Sequence, residues 1–255
     1  MRVLVACEHS GVVRDAFARR GHEVWSCDIL PSSTPGLHYQ GDVRDVLDGF
    51  VPVRFTSECD PEGEDDVCQV SGLPCCDCDC YGPTQDEELE YVERAGVLFA
   101  RPTDRPPWDL IIAHPPCTYL SVSGMHWTRR GLRDPQLTED ALDFVRLLLE
   151  SPIARIAIEN PIGVISSRIR KPDQIIHPHQ FGHDASKATC LWLRGLPKLT
   201  PTEHVAPRIV NGRSRWANQT DSGQNRLGPS PDRWAKRSAT YEGIADAMAE
   251  QWSNV

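Results

Sequence analysis

The chain has 255 residues, of which 40% are hydrophobic and 25% charged, enough for one large domain or two small ones that bury roughly 70–75% of the unfolded surface without staples. No apolar run approaches the ~18 residues of a membrane span, which excludes membrane-spanning and fibrous classes. The net charge of -9 is uneven: residues 58–94 hold thirteen Asp and Glu against Arg94 alone, while the other 218 residues carry 26 basic and 23 acidic side chains. Residues 208–237 carry seven Lys or Arg against Asp221 and Asp232, a stretch suited to phosphate.

From the amino terminus, Arg2–Cys7 is predicted as a β-branched strand. Gly11–Arg20 is predicted as a helix with Val12, Val13, Ala16 and Phe17 on its apolar side, and Glu23–Asp28 as a second strand. This is a βαβ opening. Residues 1–6 carry one Arg and too short an apolar stretch for a secretory signal, so the ten cysteines are expected in a reducing cytoplasm, bacterial or phage-infected. Residues 52–107 are acidic, cysteine-dense and proline-terminated, and are predicted as an insertion between the third and fourth strands.

Trp108–His114 then reads as a strand, followed by a helix from near Thr138 to near Glu150 and the strand Ala154–Glu159. Thr138 is expected to cap that helix, and Ala141, Phe144, Val145 and Leu148 to form its buried stripe. Ile175–Phe181 and Thr189–Leu193 are predicted as shorter strands and Tyr241–Trp252 as a closing helix. Residues 196–236, basic and proline-punctuated, are expected to be surface loop. The fold class is α/β: a mostly parallel sheet with helices on both faces, split into residues 1–51 and 108–255 around the insertion.

Cys117 follows Pro115-Pro116 directly after an apolar strand, at the carboxyl edge where open α/β sheets bind their ligands. A thiol there fits a nucleophile; the alternative is a half-buried core cysteine. Thr118, Ser121 and Gly124 suit a mobile loop over a site. Glu159-Asn160-Pro161 ends the next strand at the same edge, and a carboxyl so placed is expected to be partly protonated, as a general acid requires.

Pro116-Cys117 with Ser121 and Gly124 at fixed offsets, followed by Glu159-Asn160-Pro161, resembles the cytosine C5 DNA methyltransferases, which use S-adenosylmethionine. The resemblance implies a Rossmann-like methyltransferase domain. It implies that Cys117 adds to carbon 6 of cytosine and that Glu159 assists at N3, with Pro116, Ser121, Asn160 and Lys187 around the substrate. In Val5-Ala6-Cys7-Glu8-His9-Ser10-Gly11, the turn from first strand to first helix, Cys7, Glu8, Ser10 and Gly11 are the candidate cofactor residues; its backbone donors suit a carboxylate. Asp28 is placed for the ribose hydroxyls with Ile29 beside it, Asp42 for the adenine amino group with Val43, and Pro115 completes the cofactor set. The base that removes the C5 proton is not identified.

Cys59, Cys68, Cys75, Cys76, Cys78 and Cys80 fall within twenty-two residues of the insertion. Four thiolates would close a tetrahedral zinc site, with a redox-sensitive acidic loop and disulfides as the alternatives. Arg208, Arg213, Arg215 and Arg226 with Trp216, Asn218, Gln219 and Asn225 offer a short recognition loop for DNA; the same chemistry on a free cytosine nucleotide such as dCMP is the alternative substrate. A catalytically silent, zinc-bearing nucleic-acid-binding protein is a third reading. The chain is expected to be a monomer.

Overall fold

The computed structural model describes residues 1–53, 88–94, 97–228, 230 and 233–254. Among these the central sheet has seven strands: β1 (Arg2–Ala6), β2 (Glu23–Asp28), β3 (His38–Gln40), β4 (Leu110–Ala113), β5 (Arg155–Pro161), β6 (Gln174–Ile176) and β7 (Thr189–Arg194). Their spatial order is β3-β2-β1-β4-β5-β7-β6. The first five pair in parallel, and β7 enters antiparallel between β5 and β6. This is a mostly parallel, Rossmann-like sheet. Its strand order reverses between β1 and β4, and the crevice beyond the carboxyl ends of those two strands is where such sheets place ligands.

The helices are α1 (Val12–Ala18), α2 (Val122–Arg129), α3 (Gln136–Glu150), α4 (Ile165–Arg168), α5 (Arg233–Ser238) and α6 (Glu242–Trp252). Side-chain alternation along the strands divides the core into two layers. Val3, Val5, Leu110 and Ile112 pack under α1 and α6 with Phe17, Met248 and Trp252. Leu4, Ala6, Ile111, Ile156 and Ile158 pack on the opposite face under α3 with Leu142, Val145 and Leu148. Each fully buried side chain of this size contributes about 1.5–3 kcal/mol.

Several local features depart from the sequence reading. Residues 117–129 form a 3-10 turn, Cys117–Tyr119, and then α2, in place of the expected mobile loop. Thr138 lies buried inside α3 with its hydroxyl toward Met125 Sδ. The helix begins earlier, with Pro135 already at a helical φ of -57° in the N-cap position, while Asp134 just before it accepts from the Gln136 amide. β6 stops at Ile176, since Pro178 has no amide donor and opens a 3-10 turn. The basic segment contains a ribbon, Arg208–Val210 against Arg213–Arg215, turned by Asn211 and Gly212, both with positive φ, the pattern of a tight two-residue hairpin.

Within 52–107, residues 89–94 and 97–102 form a hairpin extended by 51–52, and Phe99 enters the main core. The six cysteines between Cys59 and Cys80 lie outside the described residues. Among the described residues no helix is long and apolar enough to cross a membrane.

Candidate active site

Two concavities meet at the β1/β4 crevice. The larger, about 350 Å³, is lined by Cys7, Asp28, Ile29, Gly41, Asp42, Val43, Pro115 and Pro116, and closed by Tyr119, Leu120, Leu137, Asp140, Ala141 and Phe144. The smaller, about 110 Å³, is lined by Cys7, Glu8, Ser10, His114, Pro115, Pro116, Cys117, Glu159, Asn160, Lys187 and Arg237. Cys7, Pro115 and Pro116 line both, so the two spaces adjoin at these residues.

Cys7 follows β1 with φ 59°, a left-handed conformation uncommon outside glycine. Burial first, then the charges of Asp28 and Asp42, push its thiol up to about 12, so it stays a neutral, small wall element. Gly11 takes φ 75° at the start of α1, and a Cβ there would stand 2.2 Å from Thr34 Oγ1. Gly11 lines neither space.

Glu8 does work the sequence did not reveal. Its buried carboxylate accepts from the Val13 and Arg14 amides at 2.7 and 3.2 Å and from the Ser10 hydroxyl at 3.2 Å. The first-turn donors of α1, expected to hold a ligand carboxylate, are thus capped by the chain's own acid. Asp28 turns its carboxylate to the Leu30 amide at 2.9 Å, and Asp42 receives both the amide and Nε of Arg44 at 3.0 Å. Both remain on the wall of the large space. With its volume inside the usual range for ligand pockets, about 300–1,000 Å³, its apolar face (Leu120, Leu137, Ala141, Phe144) and its carboxylates, this space fits an adenosyl group with hydroxyls to be satisfied.

Parallel pairing puts Ala113 opposite Ile158, and one residue further His114 and Glu159 meet. His114 Nδ1 lies 2.8 Å from Glu159 Oε2. Burial works against charge on both groups, yet the hydrogen bond and the mutual charge prevail: His114 is held above its ordinary value and Glu159 below the usual carboxylate range, with Lys187 adding to the latter. These interactions favour the ionised form of Glu159 over the partly protonated carboxyl expected from its burial. Cys117, on the 3-10 turn after Pro116, has its thiol raised by burial and by Glu159, with Lys187 opposing.

Asn160 Nδ2 donates to the Pro115 carbonyl at 2.7 Å. Ser121 lines neither space; its hydroxyl caps α2 by accepting from the Gly124 amide at 3.2 Å. The segment bearing Lys187 is held by Asn218, which exchanges two 2.9 Å hydrogen bonds with the Ser186 backbone. Within the basic segment Arg208 pairs with Asp221, and Trp216 stacks on His179 at 4.2 Å, while Arg213 and Arg226 are exposed. His114 and Arg237 are cleft residues the sequence reading did not select. The signal for His114 was present: a titratable side chain at a strand end, one position before the Pro-Pro-Cys turn. Among the described residues no group of three or more metal-ligating side chains comes together.

No family model matches the chain, and no curated protein matches it. Among solved structures it is similar to an E. coli prophage-encoded protein described as a DNA modification methyltransferase, at TM-score 0.35 and 14% identity over 76% of this chain. The chain covers 46% of that protein's length.

Proposed function

We propose that this protein methylates carbon 5 of cytosine in DNA with S-adenosylmethionine as donor. The observation that carries the reading is the pair of spaces that share Cys7, Pro115 and Pro116 in their linings, the larger with apolar side chains and the Asp28 and Asp42 carboxylates on its wall and the smaller with the Cys117 thiol and the Glu159 carboxylate on its wall. In the larger space Asp28 accepts from the ribose hydroxyls, Asp42 from the adenine amino group, and Ile29 and Phe144 cover the base. When bound, S-adenosylmethionine supplies an electrophilic methyl group to a carbon 5 made nucleophilic by addition at carbon 6.

Cys117 makes that addition. Its raised thiol must first release its proton to solvent water, and Lys187 stabilises the thiolate against the charge of Glu159. Negative charge then builds at N3, beside Glu159. Asn160 keeps Pro115, and hence the Cys117 turn, fixed against β5.

DNA rather than a nucleotide is favoured by α2. From Cys117 to Arg133 there are three arginines and no acidic residue. Arg129 and Arg130 are exposed, and Trp127 beside them is 45% exposed. Arg133 donates to the Thr118 carbonyl at 3.0 Å, linking that basic surface to the nucleophile turn. Such a surface suits phosphates and an unstacked base, as base extrusion requires.

Lys187 and Arg237, both on the small cleft, favour a second reading, a mononucleotide held by one phosphate. Labelled methyl donor offered with duplex DNA, single-stranded DNA and dCMP separates the two. Transfer to duplex, weakening by about one log unit per log unit of salt for each phosphate contact, supports DNA; salt-insensitive transfer to dCMP alone supports the nucleotide.

A further inference from the structure

An ionised Glu159 raises a chemical difficulty within the proposed reaction. N3 of cytosine is itself a hydrogen-bond acceptor, so a bare carboxylate beside it repels rather than assists, and the charge formed on N3 needs a proton from somewhere in the cleft. His114 holds one. Its backbone amide donates to the Ala6 carbonyl at 2.9 Å, which fixes the residue at the switch between β1 and β4. Its Nδ1 meets Glu159 Oε2 at 2.8 Å. Its Nε2 is buried with no hydrogen-bond partner, in the cleft that also holds Cys117.

We infer that His114 and Glu159 form a shared-proton pair, in which the proton rests on the imidazole and passes through the Glu159 carboxyl to N3 as Cys117 adds to carbon 6. The inference rests on the cytosine reading above. As the S–C6 bond forms, the C5=C6 pair shifts to C4–C5 and the C4=N3 pair moves onto N3, which takes the proton. The pair is left as neutral imidazole and carboxylate. After methylation, carbon 5 releases its proton to water, the S–C6 bond breaks, and N3 returns its proton to the pair. Because His114 acts through Glu159, it is a positioning residue.

The groups facing the imidazole set the direction of this transfer. Glu159 on β5 and Glu8 in the β1–α1 turn favour the imidazolium, whereas Lys187 before β7 disfavours it. Cys7, His9, Cys117 and Arg237 are the other titratable side chains lining the cleft. A cation pressing on an imidazolium that a carboxylate stabilises leaves the proton held yet able to move when N3 becomes basic.

The test uses the full chain with S-adenosylmethionine and a duplex carrying 5-fluorocytosine, whose fluorine cannot leave as a proton does, so the Cys117 adduct persists and can be counted. Wild type is expected to form adduct with a fall in rate at high pH, where the pair loses its proton. His114→Asn, which keeps a donor toward Glu159 but stores no proton, is expected to react at least about tenfold more slowly and to lose the high-pH fall, with S-adenosylmethionine affinity unchanged. Equal rates and the same pH profile in both overturn the His114 role while leaving the cytosine reading intact; no adduct with wild type overturns both. If the variant does not fold, the imidazole NMR titration of wild type decides: a His114 value above the ordinary 6.5 supports the pair, and a value below it overturns it.

Discussion

Asn160 Nδ2 donates to the carbonyl oxygen of Pro115 at 2.7 Å, and this bond joins the end of β5 to the turn that presents Cys117. Both partners are buried, so removing the donor strands a carbonyl away from water. Asn160→Ala is expected to lose about 1–3 kcal/mol of stability, read by urea unfolding, together with a slower turnover from a loosened nucleophile turn. Unchanged stability would show that the carbonyl finds another donor.

The thiol of Cys117 lies between opposing charges, Glu159 raising it and Lys187 lowering it. Alkylation by iodoacetamide at fixed pH reports the thiolate fraction. Glu159→Gln is expected to speed alkylation even as it abolishes methyl transfer, and Lys187→Met to slow it. The same direction of change in both variants would mean that access, rather than charge, controls the sulfur.

The His114–Glu159 pair makes stability depend on pH. Glu159 titrates below its ordinary 4.5 when folded, so its contribution is present above that pH and disappears as pH falls through the folded value. His114 titrates above 6.5, so its contribution is complete below that pH and disappears as pH rises through the folded value. Both are complete between pH 4.5 and 6.5. A double-mutant cycle with His114→Asn and Glu159→Gln is expected to give a coupling on the order of 2 kcal/mol at pH 5.5 and much less at pH 9.5. A coupling constant across that range would contradict a charged pair.

Gly11 combines φ 75° with a separation of only 2.2 Å between the place a Cβ would occupy and Thr34 Oγ1. Gly11→Ala is expected to cost about 2 kcal/mol and to displace Thr34, whose hydroxyl accepts from the buried Arg14 guanidinium at 2.6 Å. Thermal unfolding measures the loss; wild-type stability would mean that the turn relaxes without strain.

The strand ends were the legible part of this sequence. Short apolar runs ending in Cys7, Asp28, His114 and Glu159 define one edge of a parallel sheet, and side chains at that edge are bound to converge whatever lies between them. What pairwise packing decides was not legible. Glu8 reads equally well as a ligand group or as a helix cap until the Val13 and Arg14 amides are located. Burial alone suggests a protonated Glu159, and the imidazole beside it, helped by Lys187, reverses the sign. α2 was missed because Ser121, Ser123 and Gly124 favour loops by propensity, whereas the Ser121 cap and the packing of Gly124 against the Thr118 carbonyl make them a helix start. Asn211-Gly212 did carry its signal, a two-residue hairpin turn, but the surrounding prolines obscured it.

The most direct measurement is the position of the transferred methyl group. Duplex DNA incubated with the protein and trideuteromethyl S-adenosylmethionine, then digested to nucleosides and weighed, should yield deuterated 5-methyldeoxycytidine, and Cys117→Ser should yield none. Label on the cytosine or adenine amino group, or no label in DNA from protein shown to be folded, would contradict a reaction that begins with sulfur adding to carbon 6.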